Sequence, residues 1–231
     1  MIRDNIAIIE QQIEQACTAA GRQRDEVTLI AVSKTMPKEA ITEVYQTGIR
    51  CFGENKAQEM MHKHDSLPED IKWHMIGHLQ RNKVKYVVGR AAMIHSVDSF
   101  RLAQEISREA VKRMVDINIL LEVNVAMEES KYGLPVAEVP DMVKEIAGLP
   151  NIYIKGLMTV APFAENPEDN RKYFKKLKEL SVDITKKNID NMTMDILSMG
   201  MTNDFTVAIE EGATHVRVGT GIFGERQYNT Q

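Results

Sequence analysis

Val27-Thr28-Leu29-Ile30-Ala31-Val32-Ser33-Lys34-Thr35-Met36-Pro37 opens the pattern on which the reading of the fold rests. The apolar, β-branched run at 27–32 reads as a strand that delivers Lys34, and Pro37 then opens a helix that Gly48 closes. The same strand-then-helix order recurs along the chain. Strands at 49–52 and 73–76 are followed by helices at 55–64 and 80–87. A strand at 93–97 precedes a helix with Ser99 as N-cap and Leu102, Ala103, Ile106, Ala110 and Val111 on one face. The run at 117–125 is the most apolar of the chain and predicts a strand buried on both faces, and the helix after it carries Val139, Met142, Val143 and Ile146. A strand at 153–160 leads to Asn166-Pro167, which caps a helix bearing Phe174, Leu177, Leu180 and Ile184. Strands at 194–198 and 215–218, each with a following helix, complete eight units. Upstream of all of them, Ile2, Ile6, Ile9, Ile13, Ala16 and Ala20 recur at helical spacing.

Eight strand-helix pairs without a linker-like stretch predict an α/β fold: a closed (β/α)8 TIM barrel with an extra N-terminal helix, forming one domain over 1–231. Parallel strands need crossover helices and covered faces, which this order supplies. An open doubly wound sheet is the competing architecture.

At 231 residues, 43% hydrophobic and 27% charged, the composition is that of an ordinary globular domain. No stretch reaches the roughly 20 apolar residues of a membrane span, and the N-terminus lacks a secretory pattern, so the cytoplasm is the expected location. A net charge of -4 offers no general attraction to a polyanion, and nucleic acid is not an expected partner. Cys17 and Cys51 give little basis for a disulfide framework and read as reduced, mostly buried thiols.

Three segments carry candidate chemistry. Lys34 is a charged amine delivered to the rim of a core strand, where partial desolvation lowers an amine's pKa and favours imine formation with an aldehyde; the competing reading is a lysine that snorkels from the strand end. Val216-Arg217-Val218-Gly219-Thr220-Gly221 places an arginine inside the last strand and glycines just beyond, where backbone N–H groups can approach an anion. Ser198-Met199-Gly200-Met201-Thr202 offers similar chemistry after strand seven. In barrels the loops after strands seven and eight are the usual phosphate site, so the two segments together are more specific than either alone. Asn55, in Phe52-Gly53-Glu54-Asn55, either hydrogen-bonds a ligand ring substituent or caps its helix. His62, His64, His74 and His78 do not have the spacing of a complete metal site and read as solvated or hydrogen-bonded side chains. The 14 methionines read as core packing.

With Ala31-Val32-Ser33-Lys34-Thr35, Phe52-Gly53-Glu54-Asn55, Trp73-His74-Met75-Ile76-Gly77-His78-Leu79-Gln80-Arg81-Asn82-Lys83, Gly156-Leu157-Met158-Thr159, Ser198-Met199-Gly200-Met201 and Val216-Arg217-Val218-Gly219-Thr220, the chain resembles the pyridoxal phosphate homeostasis protein family, also called the YggS or PROSC family, over nearly its whole length. The resemblance implies a fold-type III pyridoxal 5'-phosphate (PLP) protein shaped like the N-terminal barrel of alanine racemase. By residue-wise carry-over it implies PLP held covalently on Lys34, with Arg217 facing the pyridine nitrogen. Ser198, Gly200, Gly219 and Thr220 would surround the phosphate, and Asn55 would lie near the ring. Met36 stands where relatives often have a second lysine, and Thr202 stands where serine is common.

A cationic arginine beside the pyridine nitrogen disfavours its protonation and weakens carbanion chemistry. A racemase also needs a second acid/base group on the opposite substrate face, which alanine racemases draw from an additional β-domain; this chain ends at Gln231, just past unit eight. The expectation, in keeping with what the resemblance implies, is therefore a PLP carrier or buffer in vitamin B6 homeostasis that serves apo-enzymes and does not turn over amino acids; a monomeric state is implied by the resemblance alone. The alternatives are a racemase or decarboxylase using Tyr153 or His78 as acid/base, and a cofactor-free Schiff-base aldolase.

Overall fold

A computed structural model describes residues 1–128 and 131–224. The strands in chain order are β1 (Thr28–Val32), β2 (Cys51–Glu54), β3 (Lys72–Met75), β4 (Ala91–Val97), β5 (Ile117–Asn124), the two-residue β6 (Leu134–Pro135), β7 (Ile152–Met158), β8 (Met192–Met201) and β9 (His215–Val218). All pairings are parallel. The order β4-β3-β2-β1-β9-β8-β7-β5, with β4 also paired to β5, closes eight strands into a ring, and β6 pairs with the end of β5 outside it. The closing pairs Met93↔Asn118 and Ile94↔Ile119 decide for the barrel over the open sheet.

The helices are α1 (Ile2–Ala19), α2 (Lys38–Tyr45), α3 (Ala57–His64), α4 (Val84–Val87), α5 (Phe100–Arg113), α6 (Val139–Ala147), α7 (Arg171–Thr185), α8 (Phe205–Glu210) and α9 (Thr220–Phe223). Strand alternation divides the interior in two. Leu29, Ala31, Phe52, Trp73, Met75, Ile119, Leu121, Leu197, Val216 and Val218 point outward into the large apolar layer beneath the helices. Residues of the opposite parity point into the barrel, where Met93, Leu120 and Met158 form a small apolar plug. Full burial of β5 on both sides explains its unbroken apolar run.

Individual elements follow local chemistry. The Ser99 hydroxyl accepts from the Leu102 N–H at the start of α5, and the Asn166 side chain accepts from the Glu168 N–H ahead of a short 3-10 turn that leads into α7. The expected start of the third helix shifts: Lys56, not Asn55, is the residue before α3. The fourth helix shrinks to one turn preceded by a 3-10 turn, because the polar run Gln80-Arg81-Asn82-Lys83 has no apolar face to bury. The N-terminal helix buries Ile6, Ile9, Ile13, Ala16 and Cys17 and packs against α8 and α9. Arg22, just beyond it, donates to the Ile209 and Ala213 carbonyls at 2.8 Å each. The extra helix thus covers the seam where the last unit meets the first. Cys17 is buried and Cys51 half-buried, and both are free thiols.

Candidate functional site

Four neighbouring strands, β2-β1-β9-β8, carry the candidate residues to one end of the barrel, where parallel strands deliver their C-terminal residues. The pairings Ile30↔Arg217 and Ala31↔Val218 set β1 beside β9, and Val32↔Gly53 sets it beside β2. Lys34, half-buried, therefore sits between the Gly219 loop on one side and Asn55 on the other. A side chain at Gly219 would rest 3.4 Å from the Val32 Cβ, so the loop lies directly against the end of β1.

Arg217 lies inside the barrel, fully enclosed. Its Nη1 donates to the Ser198 Oγ at 2.6 Å and its Nη2 to the Thr159 carbonyl at 2.8 Å. Burial depresses its pKa to about 10, with Glu122 and Asp204 opposing the shift, so it is cationic at neutral pH. The Ser198 hydroxyl also meets His95 Nδ1 at 2.9 Å, and His95 Nε2 meets His74 Nδ1 at 2.9 Å. Arginine can only donate, so the Ser198 oxygen accepts from Arg217, and the imidazole tautomers set the direction of the two bonds that run on through His95 to His74. His74 Nε2 is buried and has no protein partner among the described residues. Burial, first, and neighbouring positive charge hold these imidazoles neutral: His74 falls to about 3 and His95 well below its ordinary value. His215, with its ring 6.1 Å from that of His74, falls to about 4.

Beyond β8 and β9 the loops converge. The N–H groups of Gly219 and Gly221 each donate to the Thr202 Oγ1 at 3.4 Å, and the Thr220 hydroxyl meets the same oxygen at 3.2 Å. Three donors aimed at one oxygen form a small anion-shaped focus. Gly200, with φ 88°, is required by close packing, since a Cβ there would lie 2.6 Å from the Ala208 Cβ and 2.8 Å from the Phe205 Cα. On the other flank the Asn55 Oδ1 is buried and without a partner among the described residues, beside a cavity of about 230 Å³ also lined by Lys56, His78 and Lys83. Asn55 makes no helix-capping hydrogen bond, which removes that reading of it.

The structure thus brings Lys34, Asn55, Gly219 and Thr220 to one rim, with Arg217 enclosed in the barrel beneath them and Gly200 behind the loop. Ser198 differs from the sequence expectation in its partners: its hydroxyl faces the barrel interior, committed to Arg217 and His95, because inner-face parity turns it away from the loop. The hydroxyl present in the loop is that of Thr202. His95, His215 and Glu122 were not flagged by the sequence; the only signal was their alternation with apolar neighbours on the strands. Of the two acid/base candidates, Tyr153 lies near the start of β7, at the opposite end of the barrel, and is exposed. His78 sits at the mouth, stacked on Tyr132 with ring centroids 3.9 Å apart. Among the described residues no three His, Cys, Asp or Glu side chains are grouped to hold a metal ion, and no helix is long and apolar enough to cross a membrane.

The family described as alanine racemase, N-terminal domain, matches residues 5–227. The chain is 44% identical to a pyridoxal phosphate homeostasis protein of Aquifex aeolicus over 97% of its own length and 98% of that protein. It is 39% identical to a protein of the same name from Pseudomonas aeruginosa, covering 98% of this chain and 96% of that one. Among solved structures, PipY of Synechococcus elongatus with PLP bound superposes with a TM-score of 0.84 at 32% identity, over 97% of this chain and 100% of that one. Alanine racemase of Corynebacterium glutamicum, at 16% identity and a TM-score of 0.71, covers 99% of this chain and 63% of that one and shares the fold.

Proposed function

Because the chain belongs to the pyridoxal phosphate homeostasis proteins, within the family of alanine racemase N-terminal domains, we propose that it binds PLP on Lys34 and serves intracellular vitamin B6 homeostasis as a carrier or buffer. The carrying observation is the placement of Lys34 between the Gly219–Gly221 amide focus and the unpartnered Asn55 Oδ1. A phosphorylated aromatic aldehyde needs an amine, an anion site and a ring-edge partner, and the residues present fit that set.

In this reading Lys34 supplies the amine. The amides of Gly219 and Gly221, with the Thr202 and Thr220 hydroxyls, hold phosphate oxygens, and Gly200 gives the chain room to turn behind them. Arg217 presents a fixed positive charge to the ring nitrogen, and Ser198 fixes Arg217. Asn55 offers its free acceptor to a ring substituent. Bound PLP supplies an electrophilic aldehyde carbon and, when its ring nitrogen is protonated, an electron sink. Arg217 opposes that protonation electrostatically, since two positive charges side by side are unfavourable. The names of the relatives describe homeostasis and not turnover, in keeping with a protein that holds its ligand without driving carbanion chemistry. A single domain over 1–231, a monomeric state, a cytoplasmic location and hand-over to apo-enzymes belong to the same proposal.

The test is the absorbance spectrum of purified protein with added PLP, before and after borohydride reduction, with peptide mapping of the modified lysine. The expected result is visible imine absorbance, a reduced pyridoxyl group on Lys34 and none in a Lys34→Ala variant. Incubation with L- and D-amino acids should yield no racemised or decarboxylated product above that control. Failure to trap PLP on Lys34 overturns the binding assignment, and robust turnover moves the protein to the enzyme class.

A further inference from the structure

Lys34 occupies a tight turn at the end of β1 in which the Met36 N–H donates to the Ser33 carbonyl at 2.9 Å. Its neighbour Thr35 adopts φ 65°, an unfavourable left-handed conformation for a β-branched residue. Something outside the turn has to hold it there.

That support lies on the outer face of the sheet, on the side of Ser33 and away from the barrel interior. Lys63, on α3, is 6% exposed, and its Nζ uses all three donors: the Ser33 carbonyl at 2.7 Å, Glu54 Oε1 at 2.8 Å and Glu59 Oε1 at 2.7 Å. Glu54 Oε1 accepts in addition from the Ser33 hydroxyl at 2.6 Å. Glu59 Oε1 accepts from the Thr35 N–H at 2.6 Å. One ion cluster therefore grips the chain immediately before and immediately after Lys34. Replacing a buried ion pair by packed apolar residues is commonly neutral or stabilising, so net stability is a weak reason for keeping one; what such a pair does hold is a single geometry. Here that geometry is the turn that aims the amine.

We propose that Lys63, with Glu54 and Glu59, forms a positioning cluster that fixes the Ser33–Thr35 turn and thereby sets how fast Lys34 takes up and releases its cofactor. The proposal rests on the reading of Lys34 as the PLP lysine and assigns a kinetic role to side chains on the opposite side of the sheet from the ligand. They act on the turn from outside the ligand site: Lys63 and Glu59 through backbone groups, and Glu54 through the Ser33 hydroxyl and Lys63.

The test compares Lys63→Met, Lys63→Arg and Glu59→Gln with the wild type. PLP uptake and release are followed by visible absorbance, and the apo-proteins by thermal unfolding and by hydrogen exchange at the Thr35 amide. Lys63→Met should fold, exchange the Thr35 amide faster and release PLP about tenfold faster, the size of effect expected from losing one charge-assisted contact. Lys63→Arg should recover most of the wild-type rate. Glu59→Gln, which leaves the Lys63–Glu54 pair intact, should speed Thr35 exchange and PLP release to a smaller extent, and it decides the matter should Lys63→Met not fold. Wild-type PLP rates in folded Lys63→Met or in Glu59→Gln overturn the positioning role alone. Equal PLP uptake by wild type and Lys34→Ala overturns the cofactor-lysine assignment beneath it.

Discussion

Arg217 and Ser198, on adjacent strands, are joined inside the barrel by a 2.6 Å hydrogen bond that fixes the guanidinium before any ligand arrives. The same hydroxyl continues into His95 and His74, so the charge at the base of the site is held by a chain of neutral groups. A buried network of this kind is sensitive to the loss of any member.

Ser198→Ala should therefore be more costly than its size suggests. It leaves one Arg217 N–H and His95 Nδ1 without partners in a closed interior, for an expected loss of about 2–3 kcal/mol in denaturant unfolding of the apo-protein. PLP affinity should fall with it, because the freed guanidinium no longer has one orientation.

Acid should destabilise the folded chain through the imidazoles. His74 and His215 titrate near 3 and 4 when folded, and His95 is also strongly depressed, against an ordinary value of 6.5. Below pH 6.5 the unfolded state binds more protons than the folded one, so stability should decline as pH falls from 6.5 toward 4. Equilibrium unfolding across that range, repeated on His215→Gln, should show a shallower slope for the variant.

Glu122 should act with the opposite sign. Burial, reinforced by the nearby Asp98, raises its carboxyl to about 7 despite Arg217. The folded state then holds a proton that the unfolded state has released, and the stability this contributes is present below about pH 4.5 and lost as pH rises to about 7. Glu122→Gln removes the penalty of ionising in place, and above pH 7 it should be more stable than the wild type by on the order of 2 kcal/mol. Urea unfolding of the two proteins side by side from pH 4.5 to about 8 separates this effect, because the imidazoles are the same in both and cancel in the difference.

Gly77 is a close-approach position. A Cβ there would lie 2.6 Å from both the Asn55 Cα and the Asn55 carbonyl oxygen, which are backbone atoms that cannot rotate away. Gly77→Ala should displace Asn55, cost about 1–3 kcal/mol in chemical denaturation and weaken PLP binding in an absorbance titration. Gly148→Ala, whose nearest neighbour is an ordinary contact at 3.6 Å, is the matched control for PLP binding.

The sequence by itself determined the repeating order of strands and helices, since period-two and period-3.6 burial patterns are local properties of residues such as Leu29–Val32 and Leu102–Ala110. It also drew attention to Lys34 at a strand end and to Gly219 and Gly221 after the last strand, which stand out in one dimension, whereas ligand roles for Asn55 and Thr220 came from the family resemblance. Where the helices began was less legible: at 80–87 a polar run hid a single turn, and at Asn55 a good capping residue was left one place outside its helix. Only tertiary structure decided that the sheet closes, which required β4 to meet β5. It alone joined Arg217 to Ser198, His95 and His74, and Lys63 to the turn around Lys34. Those partners lie on different strands and helices, and inner- or outer-face parity, not sequence distance, chose which side chains meet.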